Sequence, residues 1–309
     1  MTRNAIQTIA LTKVFDKKAA VNGLTLDIPE GTCFGLFGPL GAGKSTTIHM
    51  LLGLLNPSAG IARIMGFDCV RESQQARERC GVMLENDGLY QRLSIMENLE
   101  FFARVWNLNA AERASSILLS LKALDLWGKR DVPVMELPMI ERQKTALARA
   151  MINEPEVLIL DDPTKFLTRD EKIEFWDNCE NFINRENNTV LISSQDIREI
   201  ERLCSFAAII RSGQIISHGQ PQEIRKKMCG LQLEVYGRNF NADVISTLKT
   251  FPDVEHITFH QNHLTLTLAR KIDTAPLINY LVRKGIDVDE VRKSNTIMEE
   301  ISLELVDHV

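Results

Sequence analysis

Apolar residues alternate with polar ones over Ile9 to Phe15 and again over Leu24 to Ile28, the period of half-buried strands. The run Cys33-Phe34-Gly35-Leu36-Phe37 follows and empties into a glycine-rich turn, which predicts a third strand and, behind the turn, a helix from Lys44 to about Leu55. Asn56 to Gly60 reads as a loop, and Ile61 to Met65 as a short strand. From about Tyr90 to Met151 the apolar spacing becomes that of helices, as in SIMENLEFFARVW and RASSILLSLKALDLW, and predicts a helical insertion. Strand signals return with Val157-Leu158-Ile159-Leu160, apolar on both faces as in a buried parallel strand, and with Thr189 to Ser193 after a further helix. Strand, helix and strand in succession imply a parallel sheet.

Beyond Gly230 the segments LQLEVY, Ala242 to Lys249, VEHITFH, HLTLTLAR, Ala275 to Lys284 and IDVDEVR read in turn as strand, helix, strand, strand, helix and strand. That β-α-β-β-α-β order is a small α+β unit in itself. The chain is therefore expected to divide near Cys229-Gly230 into residues 1–229 and 230–309, with a last helix from about Thr296 to Val306. No internal repeat is visible, which argues against a solenoid.

Composition narrows the function class. The 309 residues are 44% hydrophobic and 25% charged, the balance of a folded protein with a large core. A net charge of -5 gives no basic footprint, so no nucleic-acid partner is expected. No window approaches the about 20 apolar residues of a membrane span, and MTRNAIQTIALTKVF lacks the apolar stretch of a signal peptide, so the chain reads as cytoplasmic. The cysteines show no CxxC pair and no metal-ligand spacing, and read as small buried hydrophobes.

Gly38-Pro39-Leu40-Gly41-Ala42-Gly43-Lys44-Ser45-Thr46 fits G-x-x-x-x-G-K-[ST] between a predicted strand and a predicted helix, the context this motif needs. Glycines let the backbone curl until its N–H groups face a polyphosphate, and the helix N-terminus adds partial positive charge. Lys44 then reaches the β and γ phosphates. Ser45 offers its hydroxyl to Mg2+, which takes few protein oxygens beside those of phosphate. Val157 to Leu160 buries a strand that delivers Asp161 and Asp162 at its carboxyl end, where ligands of parallel sheets collect. Asp161 is placed to hold Mg2+ through water, and Asp162 to orient or deprotonate an attacking water.

With these motifs in place, the sequence from about Ile6 to Met228 resembles the ABC ATPase family. KVFDKKAAVNGLTLDIPEGTCFGLFGPLGAGKSTTIHMLLGLLNPSAG is similar to the amino-terminal half of its nucleotide-binding domain. GVMLENDGLYQRLSIMENLEFFARVW is similar to its Q-loop and the start of its helical subdomain, LARAMINEPEVLILDDPT to the end of the signature helix and the Walker B strand, and AAIIRSGQIISHGQPQEI to its closing strands. The resemblance implies an α/β fold: a P-loop NTPase (RecA-like) core with an antiparallel β subdomain and a helical subdomain at about residues 90–151, beside the small α+β carboxy-terminal domain. It implies ATP and Mg2+ as cofactors. Phe15 would stack on adenine, and Gly38, Leu40, Gly41, Ala42, Gly43, Lys44, Ser45 and Thr46 would surround the phosphates; Ser45, Asp161 and Glu85 would face the metal, and Asp162 and Gln195 would serve catalysis. The carboxy-terminal domain, with TIMEEISLELV, resembles the accessory domain on ATPases of bacterial antibiotic-type exporters whose permease is a separate chain. That implies a transmembrane permease as partner, a homodimer or a heterodimer with a second ABC ATPase, and a peripheral place on the inner face of the cell membrane.

Several stretches depart from the family's pattern. Its LSGGQ-type signature, which faces the ATP of the opposite subunit, reads Leu137-Pro138-Met139-Ile140-Glu141. A hydroxyl and glycine amides give way to a proline without an N–H, bulky side chains and an added negative charge. For the fold, Pro138 reads as the first residue of a helix, where proline is favoured. Asp162 stands where Glu is expected, and its shorter arm withdraws the carboxylate by more than about 1 Å, a displacement that can cost about 100-fold in rate. Gln195 stands for His and cannot take up a proton near neutral pH. Lys165-Phe166-Leu167-Thr168-Arg169 replaces the D-loop, with Thr168 at its Asp, and Glu85 stands where most members have Gln. Intact binding motifs beside altered catalytic ones predict Mg-ATP binding with poor hydrolysis by a homodimer. The alternative is a pseudo-ATPase whose nucleotide governs assembly. A soluble ABC protein of translation or DNA repair would carry two cassettes or a long coiled coil, and neither is visible.

His256, His260 and His263 lie around a predicted hairpin at Gln261-Asn262 with no acidic or thiol ligand nearby, and read as scattered surface residues. Leu89, Tyr90, Leu93, Phe101, Phe102 and Trp106 read mostly as core, with a groove for a permease helix as the functional alternative.

Overall fold

The computed structural model describes residues 3–183, 188–228, 231–251, 253–260, 262–268 and 273–295, so the helix predicted from Thr296 to Val306 lies outside the described residues. The chain forms two compact units, Met1–Pro221 and Gln222–Val309. The division falls after Pro221, the first residue of the helix Pro221–Met228, whereas the sequence pattern changes after that helix, at Cys229-Gly230.

In the first unit, β1 (Asn4–Phe15), β2 (Lys18–Pro29), β4 (Ala59–Ile64) and β5 (Phe67–Asp68) pair antiparallel in the order β2-β1-β4-β5. β1 and β2 run 12 residues each, longer than their apolar alternation, because pairing continues beyond it through several register shifts. A second sheet, in the order β10-β9-β3-β8-β7-β6, holds β3 (Cys33–Phe37), β6 (Cys80–Met83), β7 (Val157–Asp161), β8 (Thr189–Ser194) and β9 (Phe206–Arg211) parallel, with β10 (Gln214–Gly219) antiparallel at one edge. β7 is buried along its whole length, as its apolar run requires.

The helix α1 (Lys44–Leu51) stops short of Leu55. Gly53 adopts φ +64, its amide bonds Met50 O at 3.1 Å, and the Leu54 amide bonds His49 O at 2.9 Å: a glycine-terminated cap ends the helix while apolar spacing continues. The short α2 (Ser73–Glu78) leads into β6, and α3 (Ile95–Val105), α4 (Ala110–Ala123) and α5 (Met139–Ala150) fill the interval between β6 and β7. Capping boxes, Ser94 with Glu97 and Asn109 with Glu112, start α3 and α4. The helices α6 (Arg169–Ile183) and α7 (Ile197–Leu203) flank β8, and α8 is Pro221–Met228. One core joins Ile6, Leu24 and Ile28 of the antiparallel sheet to Ile48 of α1 and to Leu36 and Ile159 of the parallel sheet. Each such buried side chain contributes roughly 1.5–3 kcal/mol, so α1 is fixed between the two sheets.

The second unit comprises β11 (Leu231–Arg238), α9 (Ala242–Leu248), β12 (Val254–His260), β13 (His263–Leu268), α10 (Ala275–Arg283) and β14 (Asp287–Asn295), with an antiparallel sheet in the order β12-β13-β11-β14. It has its own core, including Leu233, Val235, Leu264, Leu266 and Leu281. His263 stacks on the Tyr236 ring at 4.3 Å, and among the described residues no group of three His, Cys, Asp or Glu is arranged to hold a metal.

Candidate functional site

Three strand ends meet at one edge of the parallel sheet. Phe37, the last residue of β3, pairs with Ser194 of β8, and Ser193 of β8 pairs with Asp161 of β7. The loop that leaves β3 is dictated by its glycines. A Cβ on Gly38 would lie 2.3 Å from the Ile210 carbonyl oxygen, and one on Gly43 would lie 2.4 Å from that of Ala20, where the backbone also holds φ +107. Leu40 is 76% exposed on the rim and Gly41 faces open space, while Ala42 packs inward. The Thr47 amide bonds Gly43 O at 2.9 Å, so the amides of Lys44, Ser45 and Thr46 stand ahead of the helical ladder, where an anion is received.

Lys44 is buried. Its ammonium donates to Gly38 O at 2.7 Å and Pro39 O at 3.2 Å and lies 3.7 Å from Asp162 Oδ2. Burial pulls its pKa down even with Asp162 and Asp161 beside it. Asp161 accepts from Ser193 Oγ at 2.6 Å and from the Ser45 hydroxyl; burial pushes its carboxyl up against those two bonds. Asp162 takes φ +46, its amide bonds Ser193 Oγ at 3.0 Å, and its Oδ2 accepts from Gln195 Nε2 at 3.4 Å. The structure thus brings Lys44, Ser45, Asp161, Asp162 and Gln195 together.

Glu85 lies just beyond β6. It lines a cavity of about 490 Å3 together with Ser45 and Asp161, and its carboxylate is taken by Lys165 Nζ at 2.5 Å. Phe15 stands apart, at the tip of the β1–β2 hairpin that Asp16 and Lys17 turn with φ of 42 and 79. It is 46% exposed, with the Lys13 ammonium 5.1 Å from its ring centre. β2 carries the hairpin back to the phosphate loop, where the Ala20 carbonyl abuts Gly43.

The altered signature differs in detail from its sequence reading. Pro138 is the N-cap of α5, so the helix begins at Met139 and not at the proline. Glu141 and Arg142 amides both bond Pro138 O at 3.1 Å, which leaves the amides of Met139 and Ile140 at the helix head. The added charge of Glu141 is met by Lys129.

Two anchoring groups carry no motif and were not legible in the sequence. Glu199 of α7 is a buried carboxylate that accepts from Thr164 Oγ1, from Trp176 Nε1 at 3.1 Å and from Ser194 Oγ at 2.5 Å. Asp87 pairs with Arg142 at 2.5 Å, and Arg149 donates to Gly88 O and Val82 O, tying the Glu85 segment to α5. The only advance signal for either was a charged residue close to an apolar run. The aromatic cluster departs from the expected core: Tyr90 is 48% and Phe101 40% exposed, edge to face at 4.8 Å. Burial pushes the thiols of Cys69, Cys80 and Cys179 up to about 12, as inert hydrophobes require.

The sequence model of the ABC transporter family matches residues 21–165. The Nod factor export ATP-binding protein I of Cupriavidus metallidurans is 35% identical over 226 residues, 73% of this chain and 74% of that protein. The protein of the same name from Rhizobium meliloti strain 1021 is 34% identical over 234 residues, 75% and 70% of the two chains. Among solved structures, cbiO1 from Clostridium perfringens, part of the ABC transporter complex cbiONQ, has a TM-score of 0.66 at 23% identity and covers 72% of this chain and 91% of its own. MJ0796, a bacterial ABC transporter cassette solved as a dimer, has a TM-score of 0.63 at 22% identity over 70% and 98%. Those structures share the fold, and the curated relatives share the sequence along most of both chains: this chain belongs to the ABC transporter family, as an ATP-binding subunit.

Proposed function

We propose that this chain binds Mg-ATP on its phosphate loop, pairs with a second ABC ATPase, and couples closure of that dimer to export by a separate transmembrane permease. The observation that supports this best is Lys44, a buried ammonium whose main partners are two carbonyls of its own loop. A phosphate oxygen can replace those carbonyls with a full negative charge. The amides at the head of α1 and of the glycine turn would receive the remaining phosphate oxygens. Ser45, Asp161 and Glu85 offer only oxygen donors around one cavity, the set magnesium takes, so these three would hold the ion. Bound there, magnesium would neutralise phosphate charge. Asp162 orients the attacking water, and Gln195 steadies its carboxylate by donating one hydrogen bond.

Turnover by a homodimer would be slow, since Gln195 cannot carry a proton and Asp162 is drawn toward Lys44. The same contact favours a second reading, an assembly subunit whose nucleotide is held and not spent. For the permease, a cavity of about 360 Å3 lined by Leu54, Phe102 and Trp106 offers an apolar seat close to exposed Phe101. The export direction follows the names of the curated relatives.

Calorimetric titration of ATP with Mg2+ into the purified chain is expected to give a saturable isotherm that Lys44→Ala abolishes. Absence of heat from folded protein would refute the reading. Turnover of several per second, within the ordinary enzyme range of about 1–1000 per second, would refute its slow-hydrolysis part. Binding accompanied by turnover that Lys44→Ala leaves unchanged would favour the assembly subunit.

A further inference from the structure

Two lysines lie in the field of Asp161 and Asp162, and only one of them belongs to the phosphate loop. Lys165 lies in the turn that leaves β7, its amide bonded to Asp162 O at 3.1 Å. Its ammonium meets Glu85 Oε1 at 2.5 Å. Glu85 in turn lines the cavity that Ser45 and Asp161 share. These charges form one neighbourhood. The bond to Glu85 holds Lys165 protonated, the fields of Asp162 and Asp161 add to it, and Lys165 in turn disfavours the charge on Lys44. Glu85, Asp161 and Asp162 against Lys44 and Lys165 leave one excess negative charge.

The Lys165–Glu85 pair is poorly suited to be a structural bridge. Its side chains are 28% and 44% exposed, and exposed ion pairs contribute only about 0–1 kcal/mol. Such a pair yields to a stronger anion that enters the cavity.

We propose that Lys165 is a second phosphate-directed lysine, held by Glu85 in the nucleotide-free chain and transferred to the terminal phosphate when ATP enters. This rests on the reading of residues 38–46 as a nucleotide loop, and adds to it the residue that distinguishes three phosphates from two. A terminal phosphate carries more charge than a carboxylate and three acceptor oxygens, and the flexible lysine stem with its three donors can follow it. Glu85, once released, is free to join Ser45 and Asp161 as an oxygen donor. ADP leaves the pair intact, because it brings no third phosphate.

The test is calorimetric titration of ATP and of ADP into the full chain, with Mg2+ and again in EDTA. Lys165→Ala is expected to weaken ATP on the order of tenfold, the worth of one charged hydrogen bond, and to leave ADP within about twofold; Lys165→Arg restores ATP. In EDTA, Glu85→Gln tightens ATP but not ADP, and adding Lys165→Ala removes that gain. Equal loss for both nucleotides, an unchanged ATP-to-ADP ratio in Lys165→Ala, or a Glu85→Gln gain that survives without Lys165 would each overturn the transfer while the nucleotide loop stood. A wild type that bound neither nucleotide would sink the nucleotide-loop reading, and this inference with it.

Discussion

Glu199→Ala tests whether the edge that carries Asp161, Asp162 and Gln195 is held from behind. The carboxylate is only 5% exposed and takes donors from three places: Thr164 after β7, Trp176 of α6 and Ser194 at the end of β8. A cation, Lys172 Nζ, lies 3.8 Å away. Each hydrogen bond to a charged group is worth about 1.5–3 kcal/mol, but truncation also removes the cost of burying the charge, so the bonds do not simply sum. What remains is the penalty for the donors left behind. Thr164 and Ser194 hydroxyls can rotate, whereas the Trp176 ring is 1% exposed and packed edge-on against Phe175 at 5.0 Å. One stranded indole N–H at about 1–3 kcal/mol, added to the vacated side-chain volume, gives a loss of about 3–4 kcal/mol. Glu199→Gln fills the same volume and keeps an acceptor, and is expected to lose about 1–2 kcal/mol. Trp106, Trp127 and Trp176 all lie in the first unit, so urea unfolding followed by tryptophan fluorescence reads that unit alone. A Glu199→Ala loss below about 1 kcal/mol, or a Gln variant as damaged as the Ala one, would refute the reasoning.

Three further outcomes are expected. Asp161→Asn raises the melting temperature of the nucleotide-free chain at pH 7. Burial holds the Asp161 pKa above its ordinary 3.8, so the carboxyl's contribution to stability is complete below 3.8 and is lost as pH rises through the raised folded value. The gain must therefore shrink on acidification, and a gain that is flat with pH would contradict this. Gly43→Ala places a methyl 2.4 Å from the Ala20 carbonyl at φ +107, whereas Gly41→Ala at φ +77 meets nothing within 4 Å. Backbone strain alone costs about 1–2 kcal/mol, so only Gly43→Ala should lose well more than that in thermal melts and lose ATP binding, and equal damage would refute the clash. Arg142→Ala and Asp87→Ala should show a coupling of about 1–3 kcal/mol in a double-mutant cycle of stability, since Asp87 is only 7% exposed; additive losses would deny the tie.

What was legible in the sequence is what the backbone decides locally. The phosphate loop could be read because Gly38 and Gly43 are required by contacts that leave no room for a side chain. β7 could be read because a strand covered on both faces has to be apolar throughout. The end of α1 was misread because Leu54 and Leu55 continue the apolar spacing while Gly53, in a left-handed conformation, has already turned the chain. Glu199 and Asp87 were invisible for a different reason: most of their partners lie far along the sequence, 23 residues for Trp176, 35 for Thr164 and 55 for Arg142. Hydrophobicity alone reads the cluster of Tyr90 and Phe101 mostly as core with a surface groove as the alternative, and cannot tell an apolar surface from an interior.

The two faces of the proposed site obey different constraints. The phosphate-loop face is fixed from within the chain by the shared core of α1 and both sheets, so its geometry survives whatever partner is present. The tip of α5 has a proline without an amide or a hydroxyl at position 138, yet the amides of Met139 and Ile140 still stand at the helix head. A helix terminus alone favours an anion by about 0.3–1 kcal/mol, less than the about 1.5–3 kcal/mol of a hydrogen bond to a charged group. In the head-to-tail pairing that the family resemblance implies, that deficit would fall on the nucleotide of the opposite subunit and not on this chain's own. A homodimer would carry it at both sites, whereas a partner with a serine-glycine signature would lend this phosphate loop the contacts it lacks. On these magnitudes a mixed pair would restore signature contacts to the nucleotide held by Lys44 while Asp162 and Gln195 stayed as they are beside it, and the partner's own nucleotide would face the poorer helix head.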